Sequence, residues 1–170
     1  MSRLVADASA LVSLGIVADN EPDPLSLCLT QYEVVVPTAV MEELTEIASY
    51  DDIHGRGATA VLDQSQILET RSVDLDAEFP LDDGENAAVT LANDIDATLL
   101  LCDEFNQLGL IHASLANTRL VTTPTLLSVL VRTDQLSVAD ARLFLDAISD
   151  ARSWAANSYV QRARSLLEGP

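Results

Sequence analysis

Arg3-Leu4-Val5-Ala6-Asp7-Ala8-Ser9-Ala10-Leu11-Val12-Ser13-Leu14 opens the chain and decides how the rest is read. A short apolar run ends on a carboxylate, and the small and apolar residues after it have helical character. The order is strand, acid, helix. Thr98-Leu99-Leu100-Leu101-Cys102-Asp103-Glu104 repeats that order, with residues 104–112 expected to continue as a helix. Two carboxylates therefore fall at two strand C-termini, the edge at which open α/β sheets bind their ligands.

Working outward, strands are expected at residues 3–7, 33–36, 67–73, 98–102 and 119–122. Helices are expected at 8–17, near 25–29, after Pro37, at 58–64 beyond the interruptions at Gly55 and Gly57, and around Glu85 after a loop at 80–84. Three more are expected at 125–133, 138–150 and 155–167. This alternation predicts an α/β fold: a three-layer α/β/α arrangement with a mainly parallel sheet of about five strands. The 170 residues fit a single domain spanning 1–170, with C-terminal helices at about 125–167 packed on it.

Two further acids sit on apolar helix faces. In the helix after Pro37, Val40, Leu44 and Ile47 mark the inward stripe, and Glu43 falls inside it while Glu42 and Glu46 project the other way. Glu85, Ala88, Val89 and Ala92 likewise share one face. An ionised carboxylate in such a place is costly unless something positive meets it. The chain has no lysine, and none of its nine arginines is a sequence neighbour of Asp7, Glu43, Glu85 or Asp103. A divalent cation is the simpler partner. The competing explanation is separate for each acid, with Asp7 and Asp103 as helix N-caps, Asp82-x-x-Glu85 as a capping box and Glu43 at the edge of its stripe, snorkelling outward; it requires four coincidences.

The formal charge of −18, with 17 Asp against 10 Glu, is unusual in a chain that is 48% hydrophobic. Such a surface suits a salt-loving (halophilic) host, where salt screens self-repulsion, or a basic protein partner. It argues against tight nucleic-acid binding through lysine and arginine, although bound divalent ions reverse the local sign. Cys28 and Cys102 lack zinc or redox spacing and read as buried thiols. No signal-like segment or membrane-length apolar run is found, so a cytoplasmic location is expected. His54, in the polar 51–55 stretch, and His112 have no ligand spacing and read as structural or surface residues. Trp154 reads as packing for the terminal helices, and Arg56, Arg119 and Arg132 as surface charges with phosphate contact as the alternative.

Four motifs in order resemble the PIN-domain family, especially the small single-domain ribonucleases that include VapC-type toxins. They are Val5-Ala6-Asp7-Ala8-Ser9, Val36-Pro37-Thr38-Ala39-Val40-Met41-Glu42-Glu43-Leu44, Asp83-Gly84-Glu85-Asn86-Ala87-Ala88, and Leu100-Leu101-Cys102-Asp103-Glu104. The resemblance implies a PIN-like sheet that gathers the acids around Mg²⁺ or Mn²⁺ and hydrolyses RNA phosphodiesters to 5′-phosphate products. By that likeness Asp7 and Asp103 lead the catalytic, metal-ligating set, with Glu85 next and Glu43 acting through water. Ser9 orients Asp7 from the second rank, and Glu104 either completes the site or faces solvent. The same resemblance brings an antitoxin partner and a homodimer into view. One departure is visible: many relatives carry a basic residue after the Asp-Glu pair, where this chain has Phe105-Asn106-Gln107.

Other classes remain open. A non-catalytic PIN-like protein-binding module fits the acidic surface and the missing basic residue. Phospho-accepting receiver domains and haloacid dehalogenase phosphatases also place Asp at strand ends, but both need a lysine that this chain lacks.

Overall fold

Short runs of valine and leucine, each stopped by a polar residue, become the strands. The computed structural model describes residues 1–168 and contains β1 (Arg3–Ala6), β2 (Glu33–Pro37), β3 (Glu69–Arg71), β4 (Leu99–Leu101) and β5 (Arg119–Val121). They make one sheet in the order β3-β2-β1-β4-β5, with every neighbouring pair parallel. From the central β1 the chain steps outward through β2 and β3, then returns to the other side of β1 for β4 and β5. The direction reverses between β1 and β4. That switch point opens a crevice at the strand C-termini.

Around the sheet lie α1 (Ala8–Ile16), α2 (Pro24–Gln31), α3 (Thr38–Ala48), α4 (Ile53–Leu62), α5 (Asp83–Asp94), α6 (Leu108–Ser114), α7 (Thr123–Arg132), α8 (Val138–Arg152) and α9 (Ser158–Glu168). Alternation along the strands sorts the two faces. Leu4, Ala6, Val34, Val36 and Leu101 join Leu11, Leu25, Leu44, Leu127, Phe144 and Val160 in one buried cluster. Val5, Val35, Leu100 and Cys102 join Val89, Ala92 and Ile111 in the other. Helices thus cover both faces, which gives the three-layer α/β/α architecture and explains why the strands are continuously apolar. In the C-terminal part, α7, α8 and α9 pack on one another and α8 reaches α1. Trp154, in the turn between α8 and α9, is buried.

Several elements differ from expectation for identifiable reasons. α4 starts at Ile53 and runs straight through Gly55 and Gly57, where an interruption and a helix at 58–64 are expected. Asp52 caps it, accepting from the Gly55 N–H at 2.8 Å. Gly57 serves the crossing with α1: a Cβ built on Gly15 would lie 2.1 Å from the Gly57 carbonyl oxygen. Two backbones this close require glycine, and that packing outweighs a helix penalty of about 1 kcal/mol per glycine.

The helix expected at 104–112 is replaced by tight turns, with Phe105 N–H donating to the Asp103 carbonyl and Gln107 N–H to that of Glu104, each at 2.9 Å; α6 begins only at Leu108. Phe105 is drawn instead onto Trp154, edge to face at 4.9 Å, and stacks on Tyr159 at 5.5 Å. The third strand keeps only three of the residues expected at 67–73, because Ser65–Ile67 winds into a 3-10 turn. The loop expected at 80–84 ends early, since Asp82 caps α5 through the Glu85 N–H at 2.8 Å. α9 starts at Ser158, three residues later than expected.

Candidate functional site

The switch point places Asp7 and Asp103 side by side. Register pairs Ala6 with Leu101, and the ladder continues one step as the Asp7 N–H donates to the Leu101 carbonyl at 2.9 Å. Asp7 occupies the N-cap position of α1 yet makes no capping hydrogen bond from its side chain. Its Oδ2 accepts from Ser9 Oγ at 2.7 Å and lies 3.6 Å from Cys102 Sγ. Asp103 Oδ1 accepts from the Thr123 N–H at 2.7 Å. Asp103 therefore does not cap a helix of its own; it rests on the positive end of α7, brought in from the neighbouring strand. Ser9 Oγ also accepts from the Asp103 N–H at 3.0 Å, so one hydroxyl ties the two acidic segments together.

Each aspartate keeps one oxygen spare. Asp7 Oδ1 and Asp103 Oδ2 are buried and have no hydrogen-bond partner. Burial is the main reason that both carboxyls are pushed above their usual range, with the Ser9 hydroxyl opposing it at Asp7 and the Thr123 N–H at Asp103. A charge-assisted hydrogen bond contributes roughly 1.5–3 kcal/mol, whereas desolvating a carboxylate costs several. The bonds present do not offset that cost, and a cation would.

The glutamates complete an acidic rim. Glu43 is half-buried on α3, while Glu42 and Glu46 are exposed. Its carboxylate reaches the start of α5, where a Cβ on Gly84 would come within 3.3 Å of Oε2. Glu85 is buried, and among the described residues it does not return the bond that would close a capping box with Asp82. Burial first, then Asp7, Asp82, Glu104 and Glu85, push Glu43 up to about 7. Burial first, then Asp82, Glu104 and Asp7, push Glu85 up to about 7. Glu104 is also raised, by burial and then by Asp7. The three glutamates are thus raised by a shared cluster of negative charge that includes Asp7 and Asp82, with Asp103 felt at Glu104.

Among the described residues, no three His, Cys, Asp or Glu side chains converge closely enough to hold a metal ion by themselves. Mg²⁺ keeps several waters and uses one or two carboxylates together with substrate phosphates, whereas zinc and calcium need a fuller protein cage. The two orphaned aspartate oxygens fit that requirement.

One residue at the site has little warning in its sequence neighbourhood. Arg152, the last residue of α8, crosses to α1 and donates from Nη1 to the Ser9 carbonyl at 2.8 Å and to Ser13 Oγ at 3.2 Å. Its guanidinium lies 5.7 Å from the Trp154 ring centre. Burial lowers its affinity for its proton, and the charges of Asp103, Glu104 and Asp7 oppose that. Arg152-Ser153-Trp154 holds the only local signal, a cation at a helix end followed by the chain's one tryptophan. Ser153 takes the left-handed conformation that ends α8. His54 is likewise better placed than expected: it belongs to α4 and lines the same cleft as Glu43, Glu104 and Arg152. Arg56, Arg119, Arg132 and His112 are not buried.

The raised glutamates make stability depend on pH in the metal-free protein. Between about pH 4.5 and pH 7 the folded form holds protons on Glu43 and Glu85 that the unfolded chain releases, so stability falls as pH rises through that window. Glu43→Gln is expected to flatten the fall. Thermal unfolding in EDTA across this range checks it, and identical pH slopes for the two proteins would exclude the coupling.

A family model described as DUF3368, PIN domain, matches residues 3–169. The chain belongs to the PIN-domain family, whose members are generally nucleases that use divalent metals and act on RNA. Among solved structures it is similar to a PilT N-terminus domain protein, SSO1118, from the hyperthermophilic archaeon Sulfolobus solfataricus P2. The TM-score is 0.51 at 16% identity, covering 79% of this chain and 94% of the other, a likeness of fold. Comparison with curated proteins returns no match. No helix among the described residues is long and apolar enough to cross a membrane.

Proposed function

We propose that this protein is a Mg²⁺- or Mn²⁺-dependent endoribonuclease. The observation that carries the reading is the pair of buried, unpartnered oxygens, Asp7 Oδ1 and Asp103 Oδ2, at the switch point of a PIN-family sheet. Asp7 and Asp103 would hold the ion, with Glu85 beside them and Glu43 reaching it through water. When bound, such an ion supplies a water of lowered pKa and positive charge for the phosphoryl and leaving oxygens. Ser9 fixes the Asp7 carboxylate through Oδ2 and leaves Oδ1 for ligation. Thr123 does the same for Asp103 through Oδ1. Glu104, half-buried between Asp103 and the aromatic cluster, adds negative charge at the rim.

Within that reading, a VapC-type toxin controlled by an antitoxin, able to form a homodimer and working in the cytoplasm of a salt-loving cell, accords with the motifs and the charge of −18. The site residues and the single-domain organisation belong to the same proposal. A second reading, a non-catalytic PIN-like binding module, draws on the lack of three closely convergent ligands among the described residues.

Incubation with a mixed pool of structured RNAs, with Mg²⁺ or Mn²⁺ and from low to multimolar KCl, separates the two. Metal-dependent cleavage that EDTA abolishes is expected. A folded protein that binds neither ion and cleaves nothing at any salt would transfer the assignment to the binding module.

A further inference from the structure

Beside the acidic rim lies a cleft of about 300 Å³, at the small end of ligand-pocket volumes, lined by Ser9, Glu43, Tyr50, His54, Glu104 and Arg152 among others. Its composition is divided. Glu43 and Glu104 are shared with the acidic rim, whereas Arg152, Tyr50 and His54 bring a cation, an exposed phenol ring and an imidazole.

Arg152 feels the charges of Asp103, Glu104 and Asp7 but is held there by neutral groups. Both of its hydrogen bonds among the described residues leave from Nη1 and go to neutral acceptors. No ion pair within 4.0 Å joins it to any acid among the described residues. Among the described residues its Nε and Nη2 make no hydrogen bond to protein, and Arg152 lines the cleft. A guanidinium fixed on one nitrogen by backbone and hydroxyl keeps the donors of its other nitrogens for a planar anion. With no lysine in the chain and five acids at the rim, a fixed positive charge beside the metal site favours the approach of a phosphodiester.

We propose that Arg152 grips a backbone phosphate of single-stranded RNA next to the scissile one, and that Tyr50 stacks the adjoining base. Arg152 thereby supplies from α8 the charge that Phe105-Asn106-Gln107 leaves out. This assignment rests on the ribonuclease reading and names the subsite that holds its substrate. Base stacking on an exposed aromatic is tolerant of sequence, so the cleft sets strand polarity and position rather than base identity.

The test compares the full-length wild type with Arg152→Met, which keeps the apolar stem against Trp154, and Arg152→Lys, which keeps the charge without the fork. Cleavage kinetics are measured on a short labelled single-stranded RNA. Binding is measured by anisotropy over a KCl series in an Asp7→Asn background, and thermal unfolding checks that each variant folds. Arg152→Met is expected to raise KM about tenfold, the loss of one charge-assisted contact, with kcat changed by less than about threefold. Its salt slope, log K against log [KCl], should lose about 0.7, one single-strand phosphate. Arg152→Lys should keep the slope and recover part of KM. Replacing an arginine that only braced α8 against α1 would lower Tm without moving the slope. Cleavage by wild type together with an unchanged slope and KM in folded Arg152→Met overturns the assignment and leaves the nuclease intact. Should Arg152→Met not fold, a slope lost in folded Arg152→Lys overturns it too. No cleavage and no RNA binding by wild type at any salt removes the ribonuclease reading, and this subsite with it.

Discussion

Asp7→Asn is expected to cut metal-dependent RNA cleavage by on the order of a thousandfold or more, without unfolding the protein. The substitution is nearly isosteric, and the asparagine carbonyl oxygen can still accept from Ser9 Oγ, the 2.7 Å bond that ties α1 to the strand end. What it removes is a buried negative charge. Burial holds Asp7 above its usual carboxylate range, so the metal-free fold is destabilised when that group ionises, and the neutral amide removes the penalty. The metal-free variant should therefore melt at or above the wild-type temperature near neutral pH while losing activity. Stability and function move in opposite directions, as they do where a fold tolerates strain for the sake of a site. Cleavage kinetics and thermal unfolding of the same rigorously purified preparation check both halves. Retained cleavage would remove Asp7 from the metal-binding set; a large fall in melting temperature would make it a structural residue.

Gly15→Ala is expected to be strongly destabilising although it adds a single methyl group. The new Cβ would sit 2.1 Å from the Gly57 carbonyl oxygen, 2.7 Å from its carbonyl carbon and 3.0 Å from its Cα. These are backbone atoms of a neighbouring helix, so relief requires α1 and α4 to move apart. Overpacking costs about 1–3 kcal/mol and occasionally more, while alanine returns only about 1 kcal/mol of helix propensity. Steric cost wins. With the steric cost in the upper part of that range, a net loss of about 1–2 kcal/mol corresponds to a fall of roughly 2–8 °C in Tm for a chain of this size. Gly109→Ala is the control: nothing lies within 4 Å of its would-be Cβ, so that change in α6 should be neutral or slightly stabilising. Equal melting temperatures for the two variants would disprove the close crossing. Because α1 also carries Ser9 and receives Arg152, a Gly15→Ala protein that still folds should lose cleavage as well.

Much of this architecture was legible from the residues alone. Apolar runs ended by Asp7 and Asp103 are strong signals, since a buried parallel strand is short and continuous; β1 ends one residue earlier than expected and β4 is one residue shorter at each end. Helical periodicity was enough to separate Glu43 from Glu42 and Glu46. Three features resisted reading for one common reason: each depends on a partner distant in sequence. Gly57 reads as a helix breaker until Gly15 lies against it. Phe105 reads as a helix residue until Trp154 and Tyr159 offer their rings. Arg152 carries no mark that separates it from the other eight arginines until α8 delivers it to Ser9 and Ser13. Local propensity describes what a segment does unaccompanied, and these segments are not.

The aromatic cluster has a consequence for how such a chain can change over generations. Phe105 follows directly on the acidic pair Asp103-Glu104, and its ring is clasped by Trp154 and Tyr159 from the C-terminal helices. The terminal segment is thus no removable appendage to the acidic half. A recombination event that joined the first 120 or so residues of one relative to the tail of another would separate the loop from the rings that shape it. Loop and tail must be inherited as a unit, although almost fifty residues of chain lie between them.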